Sequence, residues 1–182
     1  MRIIMHTLVD WVQLSAKMSV YENFFMPTIQ GLGRLDLDLI ETDKKILQGI
    51  RSESSRSSIE FNLWLTERFT QGYLWILGAY EAIRTLSQLA DREALVNPTQ
   101  ANKEIAENIR TVKHFFERVR IPLAKMEPSK KHETTDFPIA YPILDTKRGI
   151  AWHISDSVVI SRQELSDAFL RLKEILPLIP IK

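Results

Sequence analysis

The chain has 182 residues, 45% of them apolar and 26% charged, with a net charge of +1 and no cysteine. That is enough for one domain with a sizeable core and too little for two, and so many apolar residues at so small a net charge exclude a disordered chain. The lack of cysteine excludes disulfides, thiolate nucleophiles and Cys-ligated zinc, and a charge near zero leaves nucleic acid or a membrane to be met only by a local patch.

The first residues, MRIIMHTLVDW, lack the long apolar region and small-residue cleavage site of a secretory signal. The most apolar window, Gly72 to Tyr80, is far shorter than the roughly 20 residues a membrane-spanning helix needs. The expectation is a soluble, cytoplasmic protein with no membrane partner.

Thr7 and Asp10 have the spacing of a capped helix start, and the apolar residues Trp11, Val12, Met18, Val20 and Phe24 follow. Pro27 and the pair Gly31 and Gly33 read as the end of that helix and a loop. Residues 34–50 fit two periods. Leu35, Leu37 and Leu39 alternate with Asp36 and Asp38 as in a strand, whereas Leu35, Leu39, Ile46, Leu47 and Ile50 share a helical face. The helical pattern explains more residues and is preferred. Ser52 to Ser58 holds five serines in seven residues and reads as a break or a solvated turn.

The dominant element is a proline-free helix over about 59–90, apolar on every side at its centre and so the expected buried spine of a bundle. Its glycines, Gly72 and Gly78, predict close approach of another helix, since each costs about 1 kcal/mol against alanine. Asn97 and Pro98 mark a new helix start, and Ile105, Ile109, Val112, Phe116, Val119 and Leu123 form one apolar stripe that Pro122 should kink or end.

Glu127 to Asp136 reads as a loop. Phe137 to Ile143 and Ile150 to Ile154, with Leu144 to Gly149 between them, predict a β-hairpin at about 137–154 whose first arm is an edge strand because of Pro138 and Pro142. Ser161 and Glu164 form a capping box for a last helix over 162–176, stopped by Pro177. The predicted fold is therefore mainly α: a four- to five-helix bundle in one domain, with a C-terminal hairpin and a closing helix.

No catalytic constellation stands out. His6, His114, His132 and His153 have no metal-ligand spacing with one another, so no metal or other cofactor is expected; Gly31-Leu32-Gly33 lacks the rest of a phosphate loop, and there is no nucleophile elbow. Glu81 and Arg84 stand three apart beside Tyr80 on the apolar helix. They predict either a structural ion pair or a polar small-molecule pocket within the bundle, with Glu81 as acid or base. The hairpin's Tyr141, Trp152 and His153, near Lys147 and Arg148, suit either stacking on a ligand or a small core.

The strongest electrostatic feature is Arg110 to Lys131, with Arg110, Lys113, Arg118, Arg120, Lys125, Lys130 and Lys131 against Glu117 and Glu127. Arg110, His114 and Arg118 recur every four residues and share a helix face that could meet phosphates. Within it, FFERVRIPLAKMEP (Phe115 to Pro128) resembles the motif helix of HEPN domains, small helical bundles in which an Arg is followed after four to six residues by a His. Catalytic members of that family cleave RNA. Arg118 or Arg120 stands at the Arg position, but Lys125 occupies the His position, and Pro122 also departs from the pattern. A lysine that stays protonated near neutral pH cannot shuttle a proton as histidine does, so the resemblance implies a non-catalytic relative that binds RNA or a partner.

Two functions are thus expected ahead of a small-molecule pocket at Glu81 and Arg84, which is the third alternative. One is a non-enzymatic binding module that forms a homo-oligomer or takes a protein partner. The other is a degenerate HEPN-type RNA-binding or RNA-processing protein using Arg110, His114, Arg118, Arg120 and Lys125.

Overall fold

The computed structural model describes residues 6–50 and 59–178, the side chains of residues 49 and 50 excepted. The serine-rich stretch lies outside the described residues. Five α-helices and a small sheet follow in the order α1 (Leu8–Met18), α2 (Phe25–Ile50), α3 (Ile59–Val96), α4 (Gln100–Lys125), β1 (Tyr141–Asp145), β2 (Gly149–Ser155), β3 (Val158–Ser161) and α5 (Arg162–Ile175). None of the described helices is long and apolar enough to cross a membrane.

The capping box predicted from Ser161 forms, and the capped start predicted at Thr7 is a capping box too: each hydroxyl accepts from the N3 amide, and the N3 acid accepts from the cap residue's own N–H. The first apolar run, however, is split. The chain turns after Met18, and α2 begins at Phe25, so Pro27, Gly31 and Gly33 are helical and do not form the expected loop. Pro27 sits in the first turn of α2, where its missing N–H has no intrahelical partner to lose. Gly33 is there because α1 crosses at that point: a Cβ on it would lie 2.3 Å from Cγ of Trp11. A packing demand, not a turn, explains this glycine. Residues 34–50 are helical, as their longer-range period predicts.

The long helix runs six residues past Ala90 to Val96. Of its two glycines, Gly78 faces Leu32 of α2, whereas Gly72 meets the ring of Trp152 from the sheet, not another helix. The next helix is capped by Thr99 instead of Asn97, with the Thr99 hydroxyl accepting from the Asn102 amide; Asn97 is tied to α3 through its N–H to the Glu93 carbonyl. Pro122 does not end α4, which continues to Lys125 and closes on Met126 in the left-handed region (φ 57°).

The hairpin gains a strand that the sequence reading missed, giving an antiparallel sheet of order β1-β2-β3. Pro142 does lie on the edge strand, paired with Trp152, but β1 starts only at Tyr141; ahead of it Phe137 donates one hydrogen bond to the Ile154 carbonyl. The β1–β2 turn is held by Asp145, whose carboxylate accepts from the Lys147 and Arg148 amides, and it exits through Gly149 at φ +76°. A side chain at Gly149 would also strike Asp43 of α2, 2.5 Å away.

One core joins all these elements. Trp11, Leu14, Trp75, Ile76, Ile83, Phe116, Trp152, Leu165 and Phe169 are almost fully buried in a continuous cluster. Trp152 is 1% exposed, so the aromatic centre of the sheet is core. Tyr141 stays half exposed, and His153 packs edge-on against Phe137.

Candidate functional site

The buried stripe of α2 runs Ile29, Gly33, Asp36, Leu39, Asp43, Ile46, a helical spacing of threes and fours. Two aspartates therefore enter the core with the apolar residues. Arg162, the first residue of α5, is fully buried opposite them. Its guanidinium donates to Asp36, reaches Asp43 at 3.4 Å, and lies over the Trp75 ring with Cζ 5.7 Å from the centroid. Asp36 also accepts from the Trp11 indole at 3.2 Å and pairs with His6 Nδ1 at 2.9 Å. The other ring nitrogen of His6 meets Asp167 at 2.6 Å, and the Ser166 hydroxyl stands 3.2 Å from Nδ1. The orphaned atoms are Asp43 Oδ1 and Arg162 Nε. None of these residues is legible as a site from the sequence; the available signal is two acids seven residues apart on an apolar helix stripe.

Serine, histidine and aspartate meeting in this way raise the question of nucleophilic catalysis. The electrostatics answer it. Burial by itself would lower the His6 pKa, but the hydrogen bonds to Asp167 and Asp36 and the charges of both carboxylates raise it to about 9. A ring already protonated, donating from both nitrogens, cannot take a proton from Ser166, and Ser166 is fully buried. Asp36 is buried too, yet its bond to His6 and the Arg162 charge hold it below the usual carboxylate range. Burial pushes Asp43 upward, with Arg162 opposing. This is a charge-neutralising core cluster that ties the segment before α1 to α2 and α5.

A pH dependence follows. The His6 pKa is higher folded than the ordinary 6.5, so its contribution to stability is complete below about 6.5 and is lost as pH rises through about 9. Urea midpoints measured from pH 6 to 10 are expected to fall over that window for the wild type and to stay level for His6→Gln. Parallel curves for the two proteins would show that His6 is not the group responsible.

The residues singled out in the sequence go elsewhere. Glu81 and Arg84 do pair, at 2.7 Å, but both are nearly half exposed, so they form a surface ion pair and not an enclosed polar pocket. Tyr80 is buried above them; its hydroxyl donates to Glu117 at 3.1 Å and its ring is covered by Arg120, 5.0 Å from the centroid. Along α4, Arg110 is held by Asp91 and Glu107, His114 by Glu117 at 2.7 Å, and Lys125 by Glu127 at 3.6 Å. Arg118 makes two bonds of 2.8 Å to the buried carboxylate of Asp136, and Arg120 lies 3.8 Å from Glu81. The structure thus sets each of these cations against an acid, with Glu81 shared by Arg84 and Arg120.

Two other features remain open. A cavity of about 330 Å³ lies where the end of α4 meets the short 3-10 turn Lys130–His132. And the first thirteen residues of α3, 59–71, carry Ile59, Phe61, Leu63, Trp64, Leu65 and Phe69 with none of them buried. No protein-family model, curated protein or solved structure matches this chain, so its function is read from these features alone.

Proposed function

We propose that the protein is a non-enzymatic binding module that self-associates through the N-terminal stretch of α3. The observation that carries this reading is the exposure of that stretch: Ile59 is 77% and Leu63 67% exposed, and Leu74 continues the same stripe at 56%. Single exposed apolar residues are ordinary, but several along one helix face mark a contact surface. At 1.5 Å per residue the thirteen positions extend about 20 Å, enough to lie along a partner helix. The proposed partner is a second copy. The described stretch 59–71 carries only Glu60 and Glu67 against Arg68, so two copies meet with little net repulsion. An isologous contact asks for this balance, because each face must accept its own image.

Sedimentation velocity over a micromolar concentration series tests the idea. The wild type is expected to sediment as a dimer, and Leu63→Glu as a monomer with unchanged helix content, since Leu63 supports no core contact. A wild type that remains monomeric at tens of micromolar would overturn the reading.

A further inference from the structure

The cavity at the end of α4 differs in its charge from the hollow between α4 and α5. Between α4 and α5, a hollow of about 390 Å³ sets Arg171 against Glu164 and Asp167. At the α4 end, Lys125, Lys130, Lys131 and His132 converge instead. Two acids also line that space, and both are already engaged. Glu117 receives Tyr80, His114 and, at 3.9 Å, Lys113, while Glu127 faces Lys125. Lys130 and Lys131 form no ion pair among the described residues and are exposed at the rim. Ser129 also lines the space; it is 6% exposed, and its hydroxyl does not cap the turn it begins.

Two free ammonium groups, a third within reach and a spare hydroxyl donor around a concave space suit a compact, multiply charged oxyanion. Lysine acts there as a point charge that meets phosphate oxygens without demanding a fixed geometry. We propose that this cavity binds a phosphate-bearing anion, with Lys130 and Lys131 neutralising its charge, Ser129 donating to an oxygen, and Ile121 and Pro128 forming the apolar floor. The volume is at the small end for ligand pockets, which span roughly 300–1,000 Å³, and so favours a diphosphate or a small phosphate ester. The site is independent of self-association, being built from α4 and the following turn.

Calorimetric titration of the full chain with inorganic pyrophosphate at low ionic strength tests it. Saturable binding is expected in the wild type and in Lys103→Ala, an exposed lysine near the other end of α4. About a tenfold or greater weakening is expected in Lys130→Ala/Lys131→Ala, because charge-assisted contacts are roughly twice as strong as neutral ones. Adding a short single-stranded RNA separates two sources of the same chemistry. Displacement of pyrophosphate assigns the site to a nucleic-acid phosphate, and undisturbed binding assigns it to a small molecule. No saturable binding at millimolar pyrophosphate, or equal affinity in the double variant, would overturn the proposal. Both substituted lysines are exposed, so an unchanged circular dichroism spectrum is expected to exclude unfolding as the cause.

Discussion

Replacing Arg162 by methionine is expected to cost about 3–5 kcal/mol of folding stability, the usual cost of breaking a buried ion pair by removing one partner. Arg162 is fully buried, and Asp36 and Asp43 have no other guanidinium or ammonium group among the described residues to offset them; His6 is the one further cation at Asp36. The loss comes mainly from the two stranded carboxylates rather than from the pair's own net worth, because desolvating three charges offsets much of their attraction. The triple variant Arg162→Met/Asp36→Asn/Asp43→Asn should therefore recover much of what the single variant loses. Urea unfolding of both proteins checks this. A single variant that loses less than about 1 kcal/mol would mean that water reaches these aspartates.

The second large effect is expected at Trp11, where Trp11→Ala should cost about 3–5 kcal/mol. Its ring is fully buried, edge-on to Phe169 at 5.6 Å and to Trp75 at 6.3 Å, and its indole N–H serves Asp36. Trp11→Phe keeps most of the ring and removes the donor, so it should cost about 1–3 kcal/mol for the weakened solvation of a buried carboxylate. Because Trp11 and Arg162 both act on Asp36, their losses should not add: a double-mutant cycle is expected to give a coupling of about 0.5–3 kcal/mol. Additivity would separate the two residues energetically despite their shared partner. Domains of this kind are stable by only about 5–15 kcal/mol, so either change should lower the thermal midpoint visibly.

Both predictions concern residues that are close in space and far apart in sequence, and here the reading of the chain divides. The helical period of residues 34–50, the long helix, the apolar stripe of α4, the capped starts at Thr7 and Ser161, the edge position of Pro142 and the last helix were legible in the sequence. Each depends on residues within a turn or two of one another. Gly33 was misread for the complementary reason: its meaning is the approach of Trp11 from another helix, and a glycine looks the same in a loop as at a crossing. Asn97 and Thr99 are both sound caps, and only the packed ends of α3 and α4 select between them.

The candidate sites followed the same division. The sequence by itself determined a cysteine-free, mainly helical chain and a basic stretch from Arg110 to Lys131. Only the tertiary structure decided what those charges do. It set Arg118 against Asp136, placed Arg120 on Tyr80, left Lys130 and Lys131 facing a cavity, and brought Arg162 across 126 residues to Asp36. The physical reason is that the energy of a charge depends on its burial and on its nearest opposite charge. Local periodicity fixes which face a side chain occupies, whereas the groups that meet it there come from elements folded in from elsewhere in the chain.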